Sequence, residues 1–330
     1  MIDLSTKYLG LDLKNPIVVG SSELTSKVDE IRVLAEKGAG AIVLKSLFEE
    51  QILMEIDAER VNNMYGSYTD TENYVSYYLK KHSINEYLKL IKDSKAAVDI
   101  PIIASINCST PNEWAAFAQE IEKAGADALE LNIFILPVDI EMTGEAIKQT
   151  YYDIISEVRR YTKLPLALKI GSYFTGMANV LHRMSKKEID GMVLFNRFYR
   201  PDVNLREERI VAANIFSSPE DNALPLRWIG IMSDKVECDL AASTGIHDST
   251  AIIKNLLVGA TVTQIVSALY KNSPEYLEVL IGELKEWMES RGHKTIDEFR
   301  GKLNQSNIKR PILYERSQFM RYYGDPTLGA

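Results

Sequence analysis

Five side chains stand at the ends of short apolar runs. Lys45 closes Ala-Ile-Val-Leu-Lys, Asn107 follows Pro-Ile-Ile-Ala-Ser-Ile, and Asn132 closes Ala-Leu-Glu-Leu-Asn. Lys169 lies within Pro-Leu-Ala-Leu-Lys-Ile, and Asn196 closes Gly-Met-Val-Leu-Phe-Asn. A buried ammonium needs an anionic or electron-rich partner. Other runs end in small residues: Gly20-Ser21, Ser46, Ser243-Thr244-Gly245 and Val266-Ser267. Such turns let backbone N–H groups come close to an anion. Cations, amides and anion-sized turns together point to a phosphorylated, electron-accepting cofactor.

The elements that position these residues follow from periodicity. Continuous apolar runs at 16–20, 41–45, 101–106, 128–132, 165–170, 191–196, 239–242 and 262–266 read as strands buried on both faces. Helical spacing lies between them, at 28–37, 84–95, 111–124, 145–161, 177–184 and 223–235. It continues around Ile252, Ile253, Leu256 and Leu257 to a stop at Gly259, with a closing helix at 274–291. Residues 5–13 predict a small hairpin turning near Gly10, and 296–303 a short helical piece. Two long stretches, 46–78 and 197–222, read as irregular, the first a Tyr- and Asn-rich cover. Eight strands alternating with helices predict an α/β fold of the (β/α)8 TIM-barrel type, one domain over 1–303 with a polar tail at 304–330. An open doubly wound sheet is the structural alternative. In such barrels chemistry sits at the C-terminal strand ends, where the lysines and amides fall.

Composition narrows the class. The chain has 330 residues, 46% of them hydrophobic, enough for a large core. A net charge of −8 argues against a nucleic-acid surface. Two cysteines, Cys108 and Cys238, make no disulfide framework and suggest a reducing, cytoplasmic setting. No signal peptide, membrane-spanning run or metal site is expected.

The order and spacing of several segments resemble the class 1 dihydroorotate dehydrogenases, FMN-dependent (β/α)8 enzymes of pyrimidine biosynthesis. These segments are Asn15-Pro16-Ile17-Val18-Val19-Gly20-Ser21-Ser22, Gly38 to Ser46, Ala126 to Ile133, Pro165 to Ile170, Leu257 to Tyr270 and Phe299-Arg300-Gly301-Lys302-Leu303. The resemblance implies that Gly20 and Ser21 lie along the flavin, and that Lys45 and Ser46 approach its ring. It implies that Lys169 faces the N1–C2=O edge of the ring and that Asn196 contacts flavin or substrate. Asn132, and Asn63 from a partly matching loop, would reach the pyrimidine substrate. Thr244, Gly245 and Ser267 would hold the FMN phosphate. Soluble, often dimeric relatives make a homodimer part of the same expectation.

The resemblance breaks at the chemistry. The family's Asn-x-Ser-Cys-Pro-Asn loop carries the base that takes the C5 proton of dihydroorotate. Here the stretch is Asn132-Ile133-Phe134-Ile135-Leu136-Pro137, and the alkyl chain of Ile135 cannot take a proton. Cys108, Cys238, Tyr65, Tyr68 and His247 are candidate substitutes. Thr244 and Val266 stand where glycine is usual, which at Thr244 is expected to require a negative φ. Two alternatives therefore accompany the dehydrogenase reading: a flavin-binding relative without turnover, and a Schiff-base aldolase using Lys169.

Overall fold

A computed structural model describes residues 2–48, 69–107, 114–197 and 200–315. Two short strands open the chain, β1 (Thr6–Tyr8) and β2 (Leu11–Leu13). Eight parallel strands then close into a barrel. They are β3 (Ile17–Val19), β4 (Ala41–Val43), which β5 (Leu47–Phe48) extends, β6 (Ile102–Asn107), β7 (Ala128–Ile133) and β8 (Leu166–Ile170). After β9 (Gly191–Leu194) an excursion carries β10 (Pro201–Asn204) and β11 (Arg209–Ala212). The last barrel strands are β12 (Asp239–Ser243) and β13 (Val262–Ile265). β13 pairs with β3, and β4 pairs with both β3 and β6, so the sheet has no free edge and is not an open doubly wound one.

Each of the eight barrel strands is buried on both faces, which is why it reads as a continuous apolar run. Outward side chains such as Ile17, Ile42, Ile102 and Leu129 pack under the helices in the main core. Inward ones form a second cluster, in which Ala41, Ala128, Ala167 and Ala241 are small enough to admit Tyr8, Leu9 and Leu13 of the β1–β2 hairpin. The hairpin thereby plugs the N-terminal end of the barrel. Its two-residue turn has Leu9 at φ +54° and Gly10 at φ +74°, the left-handed pair that matches strand twist. Gly191 makes room for it: a Cβ there would lie 2.6 Å from Leu9 Cδ2. The half-buried Asp239 accepts from Leu9 N at 2.8 Å and from Thr261 Oγ1 at 3.2 Å, fastening the plug to β12.

Three expectations need correction. The helix expected at 84–95 runs over Thr69–Ala97, so the last part of the supposed irregular stretch 46–78 is helical. Its start, Thr-Asp-Thr-Glu, offers capping and acidic first-turn residues, but the aromatic and amide content conceals any apolar stripe. The excursion after β9 contains the antiparallel β10–β11 hairpin, whose residues are nearly all exposed and leave no alternation to read. The helical piece expected at 296–303 shrinks to one turn, Ile296–Glu298. Among the described residues, no helix is long and apolar enough to cross a membrane.

Asp239→Ala removes the acceptor for Leu9 N in a partly buried setting. It should cost about 1–3 kcal/mol of stability, read as a lower denaturation midpoint with an unchanged slope. An unaltered midpoint would mean that the hairpin is held by its apolar contacts alone.

Candidate functional site

Above the apolar plug the inward positions turn polar. Period-2 alternation puts Glu130 and Asn132 of β7 on the lumen face, and register places Asn107, Asn132 and Lys169 side by side across β6, β7 and β8. Lys169 Nζ donates to Gln264 Oε1 of β13 at 3.1 Å, across the lumen, and lies 3.5 Å from Glu130 Oε1. Gln264 Nε2 donates to Glu130 Oε2 at 2.6 Å, closing a three-membered cluster. All three side chains are buried. Their partners explain how an ammonium and a carboxylate persist inside a barrel.

Two members of this cluster meet a cavity of about 310 Å³ at the C-terminal strand ends. Lys169 and Gln264 line it below, Ser21 and Asn196 line its flanks, and Thr244, Gly245 and Ser267 line its far end. A larger cavity of about 640 Å³ adjoins it and shares Phe195, Asn196, Arg197 and Thr244. Asn196 Nδ2 donates to Asn132 Oδ1, so the two amides act as one unit. Behind Ser21 runs a hydroxyl chain, Ser21 Oγ to Ser46 Oγ at 3.0 Å and Ser46 Oγ to Ser105 Oγ at 2.7 Å. Tyr87, its pKa raised by burial, donates to Ser105 O at 2.9 Å and accepts from Ser105 N at 2.7 Å. The ends of β3, β4 and β6 are thus tied together beside Gly20.

At the far end the backbone is left-handed at two consecutive residues, Thr244 at φ +83° and Gly245 at φ +77°. The negative φ expected of Thr244 is therefore corrected. Its Oγ1 donates to Phe195 O at 3.0 Å, which offsets part of a strain of about 1–3 kcal/mol. A Cβ on Gly245 would fall 2.1 Å from Asn222 N, so glycine is required beneath the 219–222 turn. Ser217 N donates to Ser267 Oγ at 3.1 Å, and Lys271 Nζ donates to Ser217 O at 3.2 Å. His247 Nε2 lies 3.0 Å from Ser217 Oγ, and burial, then the charge of Lys271, lowers its pKa.

The remaining candidates lie apart from this cavity. Lys45 turns to Glu23, with Nζ 2.5 Å from Oε2, and does not line it. Ile135 is half-buried just beyond β7, in a segment whose Leu136, Val138 and Ile140 are exposed. Cys238 precedes β12 at the plugged end, and burial together with Asp239 pushes its thiol up to about 12, far from a reactive thiolate. Asn63, Tyr65, Tyr68 and Cys108 fall outside the described residues. Reading strand ends alone missed Glu130, Gln264 and Ser105. Glu130 had a signal, its two-residue spacing from Asn132 inside an apolar run.

The donor set suits a phosphorylated flavin. A fixed cation lies on the floor, amides and hydroxyls line the flanks, and a left-handed turn with serines closes the far end. Comparison with known proteins places similar sequences beside this one. Residues 3–288 match the family model described as dihydroorotate dehydrogenase. Similar curated proteins include three described as dihydroorotate dehydrogenase B (NAD(+)), catalytic subunit. That of Thermoplasma volcanium is 23% identical over 314 residues, covering 91% of this chain and 98% of the relative. That of Methanothermobacter thermautotrophicus is 22% identical, covering 90% and 97%. That of Pyrococcus furiosus is 22% identical, covering 91% and 98%.

The lowered pKa of His247 predicts a pH effect. An unfolded histidine gains its proton near 6.5, the folded one only at lower pH. Unfolding therefore takes up a proton, and this contribution to stability is full above about 6.5 and lost as pH falls toward the folded value. In flavin-free protein the stability gap between wild type and His247→Asn should shrink between about pH 7.5 and 5.5. A gap independent of pH would remove His247 from that account.

Proposed function

Because the chain belongs to the dihydroorotate dehydrogenase family, we propose that it is an FMN-dependent oxidoreductase of that type, with its action on dihydroorotate weakened at Ile135. The observation that carries this reading is the cavity with the buried Lys169 ammonium on its floor and the Thr244–Gly245 turn at its end. FMN, when bound, supplies the two-electron acceptor. Thr244, Gly245 and Ser267 hold its phosphate, joined by Ser217, whose place near Ser267 was not expected. Gly20, Ser21 and Ser46 border the ring. Lys169 supports negative charge at the N1–C2=O edge, since a preorganised cation in a dry site stabilises charge strongly. Asn132 and Asn196, with Asn63 of the partly matching loop, orient the substrate, and Lys45 approaches from the side where Glu23 now balances it. A homodimer, as among the class 1 enzymes, belongs to the same reading.

Two events oxidise dihydroorotate, loss of hydride from C6 and loss of a proton from C5. The cations of the site assist the first. Ile135 cannot perform the second, and loss of a general base typically removes about 10²–10⁴ in rate. A flavin-binding relative without turnover is the second reading, favoured by this residue. Partners of Lys169 Nζ, a carbonyl oxygen and a carboxylate, suit an ammonium rather than an aldolase's amine nucleophile, so they support the flavin readings.

Purified protein should be yellow, and anaerobic mixing with dihydroorotate should bleach the flavin band very slowly or not at all. Rapid bleaching would reveal a working base, Cys108 or a loop tyrosine being the first to test. Ile135→Cys should restore little, because the second Asn of the family motif is replaced around Leu136-Pro137.

Ser267→Asp should lower flavin occupancy by repelling the phosphate. Full occupancy in that variant would place the phosphate elsewhere.

A further inference from the structure

Glu130 is 1% exposed, and the strand-end pattern does not call for it. Its Oε2 accepts from Gln264 Nε2, while Oε1, 3.5 Å from Lys169 Nζ, has no hydrogen bond among the described residues. Below it lies the hairpin plug. Tyr8 OH is buried there without a hydrogen-bond partner among the described residues, and burial, then the charge of Glu130, raises its pKa. The carboxylate thus sits in a buried interior above an apolar plug, where its field is weakly screened. Lys169 lies between it and the cavity, held from one side by Glu130 and from the other by Gln264.

We infer that Glu130 is a positioning residue that aims the Lys169 ammonium into the cavity and, by its own charge, holds down the reduction potential of the flavin bound there. The inference rests on the FMN reading above. Lys169 alone would favour the reduced, anionic cofactor over the oxidised one. A carboxylate within 4 Å of that ammonium makes the buried pair neutral overall and leaves only a dipole, positive end toward the cavity. The cofactor is then a better electron donor than a lone lysine would make it. Gln264 keeps the pair in register, since its amide meets both charges with the group each prefers, oxygen to the ammonium and N–H to the carboxylate.

The test is an anaerobic redox titration of FMN-loaded wild type, Glu130→Gln and Glu130→Asp. Glu130→Gln keeps the shape but removes the negative charge. Binding should shift toward reduced flavin at least tenfold, a rise in midpoint of about 30 mV for a two-electron couple. Glu130→Asp keeps the charge and should stay within that tenfold of wild type. An unchanged or lower midpoint in Glu130→Gln overturns the inference while leaving the flavin reading intact. Wild-type protein that takes up no FMN defeats both. If Glu130→Gln alone does not fold, Glu130→Gln/Lys169→Gln decides. This neutral pair regains the fold if Glu130 balances the charge of Lys169, and stays unfolded if Glu130 is needed independently of that charge, which overturns the inference.

Discussion

A charged ammonium inside a barrel of eight strands is tolerable only with partners, and the upper half of this barrel is arranged around that requirement. Lys169 is met by a carboxylate from the neighbouring strand and by an amide from across the lumen. Breaking such a buried pair by removing one member typically costs about 3–5 kcal/mol, so these residues are constrained together, not singly. The constraint divides the interior into two zones. Toward the N-terminal ends, alanines and valines admit a hairpin. Toward the C-terminal ends, serines, amides and the ion pair leave a cavity whose polar groups are already oriented by one another. Such preorganisation is what a site needs if its dipoles are to act without rearranging.

The fold was largely legible because each barrel strand is buried on both faces and bounded by Gly, Pro or small polar residues. The 128–132 run became Ala128–Ile133, and the 165–170 run Leu166–Ile170. Where burial is weak, legibility ended. β10 and β11 are exposed on both sides, so their residues carry no hydrophobic alternation. The helix Thr69–Ala97 was legible only in its second half, where Ile91 and Tyr87 are buried against the core.

The site was legible by type more than by arrangement. Lysines and amides at strand ends signalled a polar pocket, yet the direction in which a long side chain turns depends on what stands nearby. Lys45 and Lys169 both stand toward the C-terminal ends of their strands. Glu23, on a 3₁₀ turn after β3, draws one toward the surface, and Glu130 holds the other inward. Thr244 shows the opposite limit. Its hydroxyl finds Phe195 O, and that local bond stabilises a backbone conformation that residue preference disfavours.

The hairpin at the base of the barrel has a consequence for traffic. With Tyr8, Leu9 and Leu13 filling the floor, the vessel is blind-ended. Among the described residues, the approach to Lys169 therefore lies on the C-terminal side of the barrel, where the two adjoining cavities open.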